Sequence, residues 1–142
     1  MKKLFFVFLI VHCTFNIENC SAQWVQMSTV QDFLSLSLNG NNIIAGNVSG
    51  IYISTNTGLN WTQTFSPSYS VECIAISNNN IFATTDGNGI YRSTNNGSNW
   101  SQTGLNSGTF FSLAIRGNNI VAGSYNNGVY ISTNKGLNWT QT

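Results

Sequence analysis

The chain has 142 residues, of which 42% are apolar and only 6% charged, with five Lys and Arg against four Asp and Glu and a single histidine. So few cations leave no basic stripe for nucleic acid, and so many apolar residues argue against disorder. Most of the polarity comes from Asn, Ser, Thr and Gly, residue types that suit tight turns and sheet surfaces.

In chain order, Lys2 and Lys3 precede an unbroken apolar run from Leu4 to Val11, and Ser21 and Ala22 follow. This pattern predicts a signal peptide over 1–22, cleaved after Ala22, and hence a secreted or cell-surface protein. A membrane anchor is the rival reading. The run is far short of the roughly 20 apolar residues that span a bilayer, so no transmembrane span is expected. Lipoprotein processing at Cys20 is a smaller rival, because the preceding "IEN" is charged and polar where small residues and leucine belong. Removal of 1–22 takes His12, Cys13 and Cys20 with it. Cys73 then stands alone, which excludes an internal disulfide. Arg92, Arg116 and Lys135 balance Asp32, Glu72 and Asp86. Without histidine there is no Ser-His-Asp triad, no Cys-His pair and no histidine metal site, and no cofactor or metal is expected.

The mature part, 23–142, is repetitive. "STNTGLNW" at 54–61 returns as "STNNGSNW" at 93–100 and "STNKGLNW" at 132–139, with a constant period of about 39 residues. Aligned on the tryptophans, "FLSLSL", "VECIAI" and "FFSLAI" share one place, followed by "IIAGN", "IFATT" and "IVAGS", then "GIYIST", "GIYRST" and "GVYIST". "NWTQT", "NWSQT" and "NWTQT" close the units. Each unit (about 28–64, 65–103 and 104–142) reads as four short strands, A to D, joined by Asn/Gly turns. The alternation in strand A sets Phe111, Leu113 and Ile115 on one face and Phe110, Ser112 and Ala114 on the other. Neither face is strongly polar, so both are expected to be covered, as in the stacked blades of a propeller. Trp24 in "QWVQM" matches the D-strand pattern, so the mature chain is expected to open with a lone D strand. Propellers typically close with four to eight blades. Three units and one strand therefore predict an incomplete propeller: either the sequence is part of a longer chain, or, if complete, it self-associates.

The repeated string resembles the Asp-box, or BNR repeat, S-x-D-x-G-x-x-W, of sialidase-type propellers. Ser54, Gly58 and Trp61 match it, as do Ser93, Gly97 and Trp100, and Ser132, Gly136 and Trp139. Asn56, Asn95 and Asn134 stand where aspartate is usual, keeping the oxygen acceptor without the charge. The resemblance implies a structural C–D hairpin turn away from any active site, with glycine at positive φ and tryptophan pinning the hairpin. Sugar stacking by these tryptophans is the minor alternative. Relatives by this resemblance include sialidases, xyloglucanase-like glycosidases, sortilin-type receptors and photosystem II assembly factors. Arg92 and Arg116 do not supply a sialidase's arginine triad, and the sortilin cysteine-rich module is absent.

Antiparallel topology puts the A–B and C–D turns at one end of each unit and the B–C turns and D–A linkers at the other. Asp32, Glu72 and Asp86 fall at the B–C/D–A end, where the resemblance places a glycosidase's carboxylates; Arg116 and Lys135 fall at the opposite end. Paired carboxylates about 5–10 Å apart can hydrolyse glycosides, and Glu72 replaces apolar Leu34 and Phe111 in its strand. The bland reading has Glu72 at a solvent-exposed strand mouth and Asp86 as a turn residue. Tyr69 and Tyr125, at the same end, are candidate ligand-stacking residues, against the plainer reading that they pack over the rim. Tyr52, Tyr91 and Tyr130 recur once per unit and read as scaffold. Five N-x-S/T sequons, at Asn47, Asn60, Asn96, Asn99 and Asn138, follow from the repeat's composition. Cys73 reads as packing. Together these features predict an exported binding or adhesion scaffold for glycan or protein ligands. The alternative is a fragment of a sialidase-like or xyloglucanase-like glycoside hydrolase, the one enzyme class left open.

Overall fold

The computed structural model describes residues 32–142, so the leader, Trp24, the strand expected over 23–27 and the start of the first unit lie outside the described residues. Among the described residues the regular structure consists of strands alone. The first unit contributes β1 (Ser35–Asn39), β2 (Asn42–Asn47), β3 (Gly50–Ser54) and β4 (Thr62–Phe65). The second contributes β5 (Val71–Ser77), β6 (Asn80–Thr85), β7 (Ile90–Ser93) and β8 (Ser101–Gln102). The third contributes β9 (Phe110–Arg116), β10 (Asn119–Ser124), β11 (Val129–Ser132) and β12 (Thr140–Gln141).

Each unit forms its own four-stranded antiparallel sheet, with the strands adjacent in chain order. Isoleucine, valine, phenylalanine and tyrosine supply the large side chains of the second and third strands of each sheet, as a pleated and half-buried surface favours, whereas β1 carries leucine. Two-residue turns join the first two strands, between Asn39 and Asn42, Ser77 and Asn80, and Arg116 and Asn119. Gly40, Asn78 and Gly117 open these turns at positive φ, which glycine and asparagine tolerate best. This is the blade of a β-propeller.

The three blades stack in chain order around shared apolar joints. Ile44 and Ile51 of the first blade meet Val71, Ile74, Ile81 and Ala83 of the second. Phe82 and Ile90 of the second meet Phe110, Ile120 and Ala122 of the third. Each blade therefore has an upstream face, rich in large side chains, that lies on the downstream face of the blade before it. Burial of these residues is the main favourable term holding the stack together.

Two details differ from the sequence pattern. Phe110 was expected on the small face of strand A, yet it packs with Leu113 and Ile115. The register of β9 against β10 shifts between Gly123 and Ser124, leaving Phe111 as an extra residue, and β5 carries the same irregularity at Glu72. A bulge resets the alternation, so Phe110 and Val71 turn into the joints. Cover on both faces of strand A also holds only for the middle blade. Leu34, Leu36 and Leu38 are exposed on the first blade, and Ser112 and Ala114 on the third, because no described blade lies beyond them.

Candidate functional site

The repeated turn has the same bonding in all three blades. The buried Ser54 hydroxyl donates to Asn56 Oδ1 at 3.0 Å and accepts the Gly58 N–H at 2.8 Å. Asn56 Oδ1 also accepts the Asn60 N–H at 2.9 Å. Ser93, Asn95 and Gly97 repeat this, as do Ser132, Asn134 and Gly136. Gly58, Gly97 and Gly136 sit at φ of 91°, 84° and 81°. The indoles of Trp100 and Trp139 donate to the carbonyls of Gly97 and Gly136, whereas Trp61 leans on Phe33 at 4.8 Å and its buried Nε1 has no partner. The turn also reaches the neighbouring blade: a Cβ at Gly97 would lie 2.6 Å from Ile53 Cδ1. These side chains are committed to one another and to the joints.

A polar cleft of about 350 Å³ opens at this end, lined by Asn42, Ile53, Thr55, Asn56, Thr64 and Asn96 among others. It gathers no carboxylate. Arg92, next to Ser93 in β7, donates to Asn80 Oδ1 at 2.7 Å, with its guanidinium 5.8 Å from the Phe82 ring centroid. Asn47, the first sequon, is buried, and its Oδ1 accepts the Ser49 and Gly50 N–H groups.

The opposite end, formed by B–C turns and D–A linkers, collects the other candidates. Ser70 ties the two carboxylate residues of the second blade together: its carbonyl accepts the Asp86 N–H at 3.0 Å, and its hydroxyl donates to Glu72. The carboxylates themselves take different partners. Asp86 Oδ1 accepts the Thr109 hydroxyl at 2.8 Å, on the linker into the third blade. Glu72, the half-buried bulge residue, stays with Ser70. Among the described residues no His, Cys, Asp or Glu side chains group closely enough to hold a metal ion.

Aromatic rings dominate what this end presents. Tyr69 is exposed beside Tyr91, whose ring lies 4.8 Å from Phe65. Burial pushes the Tyr91 phenol up, and the charge of Tyr69 adds to this. On the third blade Tyr125 is 68% exposed and stands edge-on to Phe111 at 5.6 Å. Tyr52 and Tyr130 pack inward, on Phe33 and Phe110. The structure thus brings Glu72, Asp86 and Tyr69 to the top of one blade and sets Tyr125 on the next. Sequence reasoning overlooked Phe111, Ser70 and Thr109. Phe111 was detectable only through the bulge that exposes it, and the two hydroxyls are ordinary linker residues until the fold closes.

Cys73 sits half-buried at the second joint, where burial pushes its thiol up and the facing Leu113 N–H partly offsets this. Both shifted groups bind protons more tightly when folded. Their contribution to stability is complete below the unfolded values and is lost as pH rises through the folded ones. Stability should therefore hold to about pH 9, the ordinary thiol value being 9.0, and fall above it. Cys73→Ser should flatten the start of that decline in chemical-denaturation curves from pH 7 to 11, with a change within about 1 kcal/mol at pH 7. Ser35, in the matching place on the first blade, already accepts the Ile74 N–H at 2.8 Å. An identical alkaline decline in the variant would refute the assignment to Cys73.

A sequence model described as the DUF6242 beta propeller domain matches residues 63–142. No curated protein matches the chain. Among solved structures, an ancestral GH74 enzyme is 25% identical with a TM-score of 0.68, over 78% of this chain and 18% of its own. A structure of YCF48 bound to D1 peptide is 19% identical with a TM-score of 0.69, over 82% of this chain and 42% of its own. The GH74 enzyme of Niastella koreensis is 23% identical with a TM-score of 0.58, over 77% of this chain and 22% of its own. The chain spans less than half the length of each of these proteins.

Proposed function

Because the chain belongs to the family of the DUF6242 beta propeller domain, we propose that it is an exported or surface-displayed scaffold that binds an extended protein segment across its B–C/D–A end. The observation that carries this reading is the exposed aromatic ledge of Tyr69, Phe111 and Tyr125. Flat rings offer large contact area at small entropic cost, and a few such anchors dominate binding energy in most interfaces. YCF48, a protein of the same fold, has been solved with a peptide bound, which favours a peptide over a sugar as the first ligand class to try. Glycans remain the alternative ligand on the same rings.

The enzyme reading rests on Glu72 and Asp86 lying at one end of one blade and on the likeness to GH74 enzymes. It is the weaker one, since each carboxylate is held by a separate hydroxyl. Selection against displayed peptide libraries, alongside a glycan array, should yield peptide binders. Tyr69→Ala and Tyr125→Ala should each weaken them about 5- to 30-fold, an anchor-sized loss of 1–2 kcal/mol. Glu72→Gln should leave binding intact. Glycoside hydrolysis by the purified protein that disappears in Glu72→Gln would instead establish the enzyme.

A further inference from the structure

The repeat lets the two joints be compared position by position at the end that carries the Ser-x-Asn-x-Gly turns. Ile53 pairs with Ile44 as Arg92 pairs with Phe82, so Ile53 and Arg92 are equivalent. Asn42 and Asn80 are equivalent too, each opening the second strand of its blade. In the second blade Arg92 Nε and Nη2 both donate to Asn80 Oδ1, at 3.1 and 2.7 Å. An amide oxygen thus holds a half-buried guanidinium there. In the first blade the shorter Ile53 leaves that place open, and the cleft of about 350 Å³ has both Asn42 and Ile53 on its wall. The second blade adds Asn96 and Ser98 to the wall, where the third blade has Lys135 and Leu137 in the matching turn. Ile53 and Asn96 therefore replace both cations of the second joint, and the wall is uncharged. Thr64, also on the wall, has a buried hydroxyl with no partner among the described residues. Its counterpart Thr103 accepts the Leu105 N–H at 3.2 Å. Two acceptors that the second blade satisfies, an amide oxygen and a hydroxyl, thus lack donors in the first.

We infer that the cleft between the first two blades binds the guanidinium of an arginine side chain presented by a partner protein. A buried hydroxyl without a partner calls for one, and what the cleft lacks is donors. A guanidinium is donor-only, with its N–H groups fixed in a planar fork, and the chain itself seats one on the equivalent asparagine. The partner's group enters from solvent where Arg92 enters from its own strand. Asn42 Oδ1 and Thr64 Oγ1 accept its N–H groups, and Ile53 packs against the apolar stem. A neutral wall suits the weakly hydrated guanidinium better than the compact, strongly hydrated ammonium of lysine. The volume is at the low end for small-molecule sites, which fits one side chain and no larger element. The cleft lies at the opposite end of the blades from the aromatic ledge, and the inference is independent of what that ledge binds.

Titrating the full isotope-labelled chain with a capped Ala-Arg-Ala peptide, followed by NMR of the asparagine side-chain amides, tests it directly. The Asn42 signal should shift saturably, with a dissociation constant on the order of millimolar, as a fragment of this size allows. Asn42→Ala should weaken binding by about tenfold or more, since a hydrogen bond to a charged group is lost; the Asn56 and Asn60 signals then serve as the readout. Ile53→Arg should abolish binding with unchanged circular dichroism, because the chain's own guanidinium fills the cleft as Arg92 does in the next blade. Should that variant fail to fold, Asn42→Ala carries the test alone. The matching lysine peptide should bind at least about fivefold more weakly, having no planar fork. Free arginine should bind no more tightly than the peptide; a tenfold preference for it would make the ligand a free amino acid and overturn the partner. No saturation, an equal response to the lysine peptide or to a methyl glycoside, or unchanged binding in a folded Ile53→Arg overturns the site.

Discussion

Phe82→Ala should lower the unfolding free energy by about 3–5 kcal/mol, the range for removing a fully buried phenylalanine. The ring joins Ile90, Phe110, Ile120 and Ala122 at the second joint and carries Arg92 over its face. A Cβ built on Gly136 would lie 3.2 Å from it, so the third blade's repeated turn rests on it too. In a stack where each blade contacts only its neighbours, weakening one joint also uncouples what lies on either side. Urea unfolding should therefore show a lower midpoint and a broader transition as the third blade melts ahead of the other two. Phe111→Ala is the control. That ring is half-exposed on the bulge, and its loss should cost less than about 1 kcal/mol. Equal costs at the two positions would mean that the joints do not hold the blades together.

Gly89→Ala should cost at least about 3 kcal/mol through two separate causes. The residue sits at φ +71°, where a side chain is strained by roughly 1–2 kcal/mol. Its Cβ would also lie 2.2 Å from the Leu105 carbonyl oxygen and 2.8 Å from the Ser107 nitrogen. Those atoms are backbone and cannot swing aside, so the linker at 104–109 must move. The Gly89 N–H donates to the Gly108 carbonyl at 2.9 Å, and the Ile90 N–H to Leu105 at 2.9 Å. Gly40→Ala separates the causes: Gly40 has φ +60° but nothing within 4 Å of its would-be Cβ. It should lose only the strain. A thermal melt that ranks the two variants equally would rule out the close approach as the reason for glycine at 89. The linker also carries Thr109 and leads into Phe111, so Gly89→Ala should disturb the aromatic ledge as well.

The strand plan was legible because each turn in this chain is written with residues that only a turn tolerates well. Gly40, Asn78 and Gly117 mark the first hairpin of each blade, and the Ser-x-Asn-x-Gly string marks the last. The apolar runs between them are too short for anything but strands. What escaped is what depends on counting across strands. "VEC" and "FFS" give no sign of an extra residue, so the alternation misplaced Phe110 until its pairing with Ser124 was seen. The partners of the carboxylates escaped for a related reason. Thr109 lies 23 residues from Asp86, and nothing local in either stretch points to the other. Glu72, read either as a charge in a covered strand or as a residue at its solvent-exposed mouth, is the bulge residue itself, half-buried and bonded two residues back. Exposure at the ends of the stack escaped too. Leu34, Leu36 and Leu38 read like any other strand of the repeat, and only the absence of a described neighbour distinguishes them.

The choice of an amide in the repeated turn bears on the surroundings in which the fold can persist. At all three turns the side-chain oxygen of asparagine receives one hydroxyl and one backbone N–H. An aspartate in that role would have a depressed folded pKa. Its stabilising contribution would be lost as pH falls through that value, at every blade at once. An amide does not titrate, so these turns keep their acceptors in acid. Acid that would loosen turns locked by a carboxylate therefore leaves these three fastenings closed.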